Sequence, residues 1–363
     1  MITHESIRFY ILRNNAKYAE IFPSGDPTVR MNSSADIKMS LQGSFLETAI
    51  DTRGAAAEIN WLSDEIQPVL TINGKENPIG VFLPAAVSTK ASSNGEQTTE
   101  LQAYDRCWRV RDTKVEGSLF FASGTRYMDA IEGLITDSGI GMILKTPTDA
   151  VLATDREDWE PGTSYLKIVN ELLTEINYKP LWFDASGFAV LEPVSALTSD
   201  NIKRIYTDAP TDLDRSGAPA VVRMLAGIRK TTDVYQAPNV FVFICSNPDN
   251  DQPMTATAEN TNPQSPLSTI RRGRRIVMVE MIDNIASQND LQAYADNLLF
   301  ESMTAGEVIT IESDLLQNVG VNDVVAIKYD DLSGVCLERG WTMRLSPGGR
   351  MTHELQRVVL NIG

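Results

Sequence analysis

The sequence contains few of the residues from which reaction centres are usually built. Its 363 residues include only two histidines, His4 and His353, and three cysteines. An odd number of cysteines in so long a chain is not a disulfide framework, and we predict that Cys107, Cys245 and Cys336 are small buried apolar groups. Glycine-rich phosphate loops and the paired cysteines or histidines of a metal site are also missing. We therefore predict no cofactor, no bound metal and no enzymatic activity.

Long apolar stretches are missing as well. No window approaches the roughly 20 apolar residues that span a bilayer. Residues 1–5 lack the charged segment followed by an apolar segment that begins a secretory signal peptide. These two absences predict a protein that is made and folded in a cytoplasm and does not insert into a membrane.

Basic residues are the minority among the charged ones. There are 32 lysines and arginines against 48 aspartates and glutamates, which gives a formal net charge of -16. A protein that wraps nucleic acid neutralises phosphates with clustered lysine and arginine, so this balance disfavours stable DNA binding. It is compatible with a surface along which DNA passes without adhering.

Short extended segments dominate residues 1–110. Alternating apolar and polar residues predict several strands, and turn residues predict hairpins at Asn14-Asn15 and Asn73-Gly74. A third strand pair, 79–88 with 98–107, is joined by the polar loop 90–95. Antiparallel strands in this number are typical of a small barrel or sandwich.

Residues 111–236 have a different pattern. Apolar residues at helical spacing predict helices over 127–135 and 165–173, and each is followed by a short apolar strand. The two helix-strand segments resemble each other. Two explanations of this resemblance stay open: an internal duplication, or the general likeness of amphipathic helices. Residues 200–236 have no clear assignment. We interpret the whole segment as a middle α/β region.

Residues 237–363 return to strands. Strands are predicted at 240–244, 276–279, 308–311, 324–329, 337–345 and 354–360, with a long polar loop at 246–275. One helix is predicted to open at Ser287, where Asp290 completes a variant of the capping box, and to direct Leu291, Ala295, Leu298 and Leu299 inward. The chain as a whole is thus predicted to be a β-rich α+β protein.

Three stretches carry a resemblance to a known family. They are 166–173 leading into 176–184, then 316–325, and the segment that starts at Pro238-Asn239 and continues through Asn262-Pro263 and 265–268 to an arginine-rich turn. Together these patterns, which cover most of the chain, resemble the tail-hub proteins of bacteriophages and phage-derived particles. No active site of that family can be carried over to this sequence.

The resemblance implies an architecture and a set of partners. It implies two tube-like antiparallel β-barrel domains, 1–110 and 237–363, flanking the middle region 111–236. Three copies would form a ring whose six barrels match a hexameric tail tube or distal tail ring above, with a tip or spike protein below. DNA and the tape-measure protein would pass through the lumen of this virion component. Contractile tail, non-contractile tail and tailocin stay open as its source.

Two other classes of function are alternatives. One is a peptidoglycan-hydrolase subunit of a tail tip, which requires a placed acid or base that the sequence does not reveal. The other is a carbohydrate- or receptor-binding β module. A binding module would be expected to show exposed aromatic ridges on a single β domain, whereas two β-rich segments flank an α/β segment in this chain.

Several polar clusters have the residue types of a catalytic or metal site without the spacing. Residues 247–251 offer oxygen ligands for calcium but not the order of an EF-hand loop, and His353-Glu354 lacks the second histidine of a zinc-protease helix. Glu157, Asp158 and Glu160 surround Trp159, but adjacent acids on a loop are more typical of a solvated surface than of a glycosidase pair. We interpret all three clusters as structural.

The densest positive charge lies at Arg271, Arg272, Arg274 and Arg275. Three interpretations stay open: a nucleic-acid contact, an ion-paired contact with an acidic neighbouring subunit, and a plain surface loop. The ion-paired contact is favoured over nucleic acid, because guanidinium groups bind carboxylates bidentately. These four arginines are our candidate interface residues.

Overall fold

The computed structural model describes residues 5–91, 97–194, 199–209, 219–225, 227–232, 237–245, 253–263, 265–282, 285, 287–304 and 307–358. Within them the chain forms 22 strands and five α-helices, which is a β-rich α+β fold as predicted. No helix in this part of the chain is both long and apolar enough to cross a membrane. The three cysteines are buried and form no disulfide, as expected.

The first nine strands form a closed barrel with short additions. They are β1 (Glu5–Arg13), β2 (Ala16–Pro23), β3 (Thr28–Asn32), β4 (Met39–Asp51), β5 (Ala56–Ala57), β6 (Glu65–Ile72), β7 (Lys75–Pro78), β8 (Phe82–Ala91) and β9 (Gln97–Asp105). Neighbours follow the order β4-β2-β1-β6-β8-β9. Because β4 also pairs with β9, six strands close on themselves.

Two tight turns explain the register of this barrel. Asn14 and Asn15 have φ of 53° and 63°, and Asn73 and Gly74 have φ of 50° and 82°. Two-residue turns with positive φ match the twist of antiparallel strands, and asparagine and glycine adopt them at low cost. Both predicted hairpins, β1–β2 and β6–β7, are confirmed.

The middle part of the chain packs helices on a small sheet. Its elements are α1 (Cys107–Asp112), α2 (Tyr127–Asp137), β10 (Ile143–Lys145), α3 (Tyr165–Glu175), β11 (Trp182–Phe183) and β12 (Ala189–Leu191). The sheet has the order β10-β12-β11. Buried residues of α2 and α3, such as Ile131 and Leu172, share one apolar core. The two predicted helices are therefore confirmed.

The remaining elements are ten strands, which belong to two different sheets, and two helices. They are β13 (Arg204–Thr207), β14 (Ala220–Arg223), β15 (Arg229–Thr232), β16 (Val240–Cys245), β17 (Met254–Glu259), α4 (Thr269–Arg272), β18 (Val277–Ile282), α5 (Gln288–Thr304), β19 (Glu307–Asp314), β20 (Asp323–Lys328), β21 (Gly334–Arg344) and β22 (Arg350–Val358). Single 3-10 turns lie at Ser199–Asn201 and Asp330–Leu332.

Seven of these strands form a second large group that is joined to the first barrel. They follow the order β14-β13-β20-β21-β22-β19-β15. Strand β3 pairs with β4 on one side and with β21 on the other, so one continuous sheet contains both groups. A single apolar core runs through them, from Phe9 to Leu355.

The second small sheet has the order β17-β16-β18 and packs against α5. Its core, which includes Phe243, Leu291 and Ala295, is separate from that of the large sheet, and Leu298 and Leu299 pack on it partly buried. The predicted helix and its inward face are confirmed, as is the cap, because Ser287 Oγ accepts a hydrogen bond from Asp290 N.

The polar loop expected at 246–275 contains structure that the pattern did not reveal. Strand β17 pairs antiparallel with β16, and its inward residues include Ala256 and Ala258. Because alanine is small and only weakly apolar, the alternation of inward and outward residues in this strand does not predict a strand.

The division of the chain at residues 110 and 236 stays a prediction. Strands β13 and β15 pair with β20 and β19, on the far side of the second boundary. The small sheet of residues 240–282 has its own core. The unit that holds this small sheet is thus inserted between two segments of one group of strands.

Candidate interaction surface

A short helix and the turn after it position the arginine cluster. Helix α4 begins after Ser268, whose side-chain oxygen accepts a hydrogen bond from Arg271 N at 3.2 Å. Gly273, with φ of 63°, ends the helix in the left-handed conformation that glycine favours. Arg271 and Arg272 therefore lie in the helix, whereas Arg274 and Arg275 lead into β18.

Asn239 holds this segment in place through hydrogen bonds to backbone groups. Its side chain is fully buried, and its amide nitrogen donates to Leu267 O at 3.1 Å and to Arg274 O at 3.0 Å. Its amide oxygen accepts a hydrogen bond from Ile276 N at 2.7 Å. One side chain thus satisfies three backbone groups, so the turn that carries the arginines is held in a defined position.

The four arginines do not have the same role. Arg272 donates to Ala237 O at 2.7 Å, and Arg275 pairs with Glu259 at 2.7 Å. Arg271 and Arg274 are exposed, and neither has a carboxylate partner in the described part of the chain. Partial burial, and then the positive charge of Arg274, lower the pKa of Arg272. The cluster therefore has positive charge that the described residues leave uncompensated.

Strand β18, which follows the cluster, exposes apolar side chains. Val277 is 49% exposed, Val279 60% and Met281 73%. Strand β18 runs parallel to β16, with Phe241 opposite Met278 and Val242 opposite Val279. Because Phe241 faces α5, the alternation of a strand places Val277, Val279 and Met281 on the opposite face of the sheet, where these three side chains are exposed.

The two edges of this small sheet differ. On the outer side of β17, Gln288 and Gln292 of α5 donate to the backbone oxygens of Thr255 and Thr257. No comparable bond to the outer edge of β18 occurs among the described residues. An exposed apolar edge strand is a common site of protein association. We define the basic surface as the exposed residues Val277, Val279 and Met281 of this edge together with Arg271 and Arg274, which have no carboxylate partner among the residues that the structure describes.

The acids near Trp159 differ in their surroundings. Asp158 accepts two hydrogen bonds from Arg156, each of 2.9 Å. Burial opposes ionisation of Asp158, but the hydrogen bonds and charge of Arg156 outweigh it and lower its pKa. A general acid needs a raised pKa. Glu157 and Glu160 are exposed to solvent.

A Ser–His–Glu arrangement is present that the sequence did not indicate. Ser313 Oγ lies 2.8 Å from His353 Nε2, and His353 Nδ1 lies 2.5 Å from Glu338 Oε1. All three residues are completely buried in the core of the second strand group, and Arg204 binds Glu338 at 2.7 Å. A nucleophile must be reached by substrate, so in this conformation the arrangement is a structural network rather than a reaction centre.

This network depends on the register of three strands, which the sequence pattern does not predict. His353 lies on β22 opposite Ile311 of β19 and Trp341 of β21, and Ser313 and Glu338 lie near these positions. The residues are far apart in the sequence and form no motif.

The structure describes only one of the two remaining metal candidates. The calcium candidate, residues 247–251, lies outside the described residues. Within the described ranges, no group of three or more His, Cys, Asp or Glu side chains could hold a metal ion. His353, considered above as half of a zinc motif, is instead part of the buried network.

Comparison with known proteins shows that the fold of this chain is similar to that of several solved structures. No protein-family model matches the sequence, and no curated protein matches it. Among solved structures, a tail protein from Neisseria meningitidis is similar over 97% of each chain, with a TM-score of 0.66 and 13% identity. The 43 kDa tail protein of prophage MuSo2 from Shewanella oneidensis is similar over 98% of each chain, with a TM-score of 0.64 and 11% identity.

A third similar structure comes from a secretion system. It is an E. coli component of the type VI secretion system, described as structurally similar to the T4 bacteriophage tail proteins gp27 and gp5. The likeness covers 96% of this chain and 77% of that one, with a TM-score of 0.51 and 10% identity. The chain therefore has the fold of phage tail proteins and of a related secretion-system component, as the resemblance in sequence predicted.

Proposed function

We propose that the protein is the structural hub of a phage-type tail or baseplate. It acts as a homotrimer that joins a hexameric tail tube to a trimeric tip or spike, and it resides in the virion after synthesis in the host bacterial cytoplasm. The observation that carries the proposal is the likeness over 97% of both chains to a tail protein. The described similarity of the secretion-system component to gp27 and gp5 supports the same role.

The topology supports a match between threefold and sixfold symmetry. One chain contains a closed barrel and a second group of seven strands, joined edge to edge through β3. Three copies around an axis would present six such units. Each unit could then contact one subunit of a hexameric ring above, while the chain itself keeps the threefold symmetry of a tip.

An exposed strand edge supports assembly. Strand β8 pairs with β6 only at Phe82, yet it continues to Ala91. Its last seven residues, from Ala85 onward, are all exposed. Such an edge exposes unpaired backbone groups, and native proteins commonly cover it with a neighbouring element. In the proposed ring, an adjacent subunit or the tube above covers it.

The charge of the chain supports a channel through which DNA passes. At a net charge of -16, acidic side chains can line the lumen and repel phosphates, so that DNA and a tape-measure protein move without stable binding. The arginines at 271, 272, 274 and 275 then lie away from the lumen, at a contact between subunits or with the ring above. Replacing all four with serine should weaken assembly and make it more sensitive to salt.

A non-catalytic role is part of the proposal. Glu157 and Glu160 are exposed on a loop, and Ser313 and His353 are buried away from solvent. Incubation of the protein with purified peptidoglycan should therefore release no soluble fragments. Release that disappears on mutation of Glu157 or Glu160 would favour the hydrolase alternative.

The trimer is tested by the mass of the native protein. Sedimentation or light scattering at micromolar concentration should give three times the 40.0 kDa chain mass. An obligate interface of this kind buries on the order of 2,000 Å² or more, so the trimer should persist on dilution. A strict monomer would contradict the proposal.

A further inference from the structure

A second surface of the chain complements the basic surface in charge. It is built from two stretches of the middle region that run beside each other. Phe121 and Arg156 exchange backbone hydrogen bonds of 2.9 and 2.8 Å, and Arg126 forms a bridge with Val151. Ser123 adds bonds to Asp155 and Ala153. These contacts give residues 120–126 and 151–156 a defined relative position.

This surface exposes apolar and acidic side chains together. Phe120 is 51% exposed and Val151 is 46% exposed. We define the acidic surface by these two residues and three exposed carboxylates: Phe120, Val151, Asp155, Glu157 and Glu160. Arg156 lies between them but is buried, and Glu175 and Asp158 neutralise its charge. The surface presents exposed carboxylates beside exposed apolar groups, and the exposed Arg126 lies at its Val151 end. Glu160 also borders a depression lined by Arg111, Lys114 and Lys167.

The two surfaces have the composition of two halves of one contact. Each has apolar side chains that a soluble monomer would leave in water, and each has a charge of the opposite sign beside them. Association would bury the apolar groups and pair the free guanidinium groups with free carboxylates, which favours one orientation over others. Among the described residues, Arg271 and Arg274 have no carboxylate partner, and Glu157 and Glu160 have no ion-pair partner.

We propose that the basic surface of one copy docks on the acidic surface of the adjacent copy. The proposal rests on the trimer of the proposed function and names the faces that meet. Because the two surfaces are different, each copy contacts one neighbour through its basic surface and the other neighbour through its acidic surface. A contact of this head-to-tail kind generates a closed ring when the rotation between copies closes. The apolar edge of β18 supplies contact area, and Arg271 and Arg274 bind Glu157 and Glu160 of the next copy.

Charge reversal tests the pairing of the surfaces. The variants are Arg271→Glu with Arg274→Glu, Glu157→Lys with Glu160→Lys, and the combination of all four. Each double variant should weaken trimer formation at least about tenfold at physiological salt, because like charges then face each other. The combined variant should restore it, since every pair is again of opposite sign. Association is measured by sedimentation over a dilution series.

A matched control separates this effect from a change in net charge. Lys75→Glu with Lys328→Glu alters the net charge as much as the arginine double variant does, at two exposed positions outside both surfaces, and it should leave association unchanged. Circular dichroism should be the same for all variants, since the altered side chains are exposed and the fold of each copy is expected to persist.

The outcomes distinguish this inference from the proposed function. A native trimer that survives either double charge reversal would overturn the pairing and leave the hub proposal standing. Loss of the trimer in the double variants without recovery in the combined variant would also overturn it. A native protein that is monomeric would overturn the trimer itself and, with it, the docking of these two surfaces.

Discussion

Arg106 donates from Nε and Nη2 to the two carboxylate oxygens of Glu65, at 3.0 and 2.5 Å, and both side chains are almost completely buried. The same guanidinium donates to Gly187 O at 2.8 Å and to Asn15 Oδ1 at 2.5 Å. Asn15 and Glu65 belong to the first barrel, whereas Gly187 lies in the turn before β12 of the middle region. One buried cation therefore fastens the middle region to the barrel.

Loss of this cation should be costly. Arg106→Met should lower the free energy of unfolding by roughly 3–5 kcal/mol, because Glu65 stays buried without its main partner. Arg109, which lies 3.7 Å from Glu65, compensates only in part. Adding Glu65→Leu should recover part of the loss, since no charge is then left unpaired.

Urea unfolding measures this effect, and an exposed pair provides the control. Arg53 lies 3.1 Å from Asp51 but is largely in solvent. Arg53→Met should change stability by less than about 1 kcal/mol. Equal effects of the two arginine variants would show that the buried pair has no special role in joining the two parts.

Ser313 should stabilise the fold and should not act as a nucleophile. Ser313→Ala removes a buried partner of His353 Nε2, so the free energy of unfolding should fall by about 1–3 kcal/mol. The wild-type protein should not hydrolyse nitrophenyl esters. Ser118→Ala, at an exposed position, should leave stability unchanged. Ester hydrolysis that is lost in the Ser313 variant would instead mean that the network opens to substrate.

Asp105 should make stability depend on pH. Burial raises its pKa from 3.8 to about 6, although the backbone N–H groups of Met39 and Cys107 donate to it. Since the folded-state pKa lies above the unfolded value, the contribution of Asp105 is complete below about pH 4. It is lost as the pH rises through about 6.

Comparison with Asp105→Asn isolates this contribution. The stability of the wild type relative to the variant should fall by at most about 3 kcal/mol between pH 4 and pH 7, as measured by urea unfolding. Asp51→Asn is the control: hydrogen bonds from the N–H groups of Ala55 and Arg53 lower the pKa of Asp51, so its effect lies at lower pH. A constant difference between the wild type and Asp105→Asn would contradict the raised pKa.

Two glycines with the same backbone angle should respond differently to alanine. Gly187 and Gly124 both have φ of 84°. A Cβ added at Gly187 would lie 2.9 Å from Val81, whereas a Cβ added at Gly124 would point into open space. Gly124→Ala should cost about 1 kcal/mol through the backbone alone. Gly187→Ala should cost about 1–3 kcal/mol more, because the barrel and the turn must separate. Equal urea midpoints for the two variants would show that the contact is loose.

Local patterns were enough to predict the elements whose signals are local. Asn73-Gly74 predicted its hairpin because positive φ at both positions selects asparagine and glycine. Helix α5 was predicted from Ser287, Asp290 and the spacing of Leu291 and Ala295, which depend only on neighbours along the chain. Strand β17 escaped prediction because its inward alanines give little apolar contrast.

The sequence by itself determined the strand-rich character of the chain, the helices and the density of positive charge at 271–275. Only the tertiary structure decided which strands meet. The pairing of Met31 with Trp341 joins the two strand groups, and no short-range pattern specifies a partner so distant in the chain. Strand register likewise brought His353 to Ser313 and Glu338, although no motif relates them. The tertiary structure also pairs Arg272 with the carbonyl oxygen of Ala237 and Arg275 with Glu259, so that within the described ranges Arg271 and Arg274 are the members of the cluster without a partner for the guanidinium group.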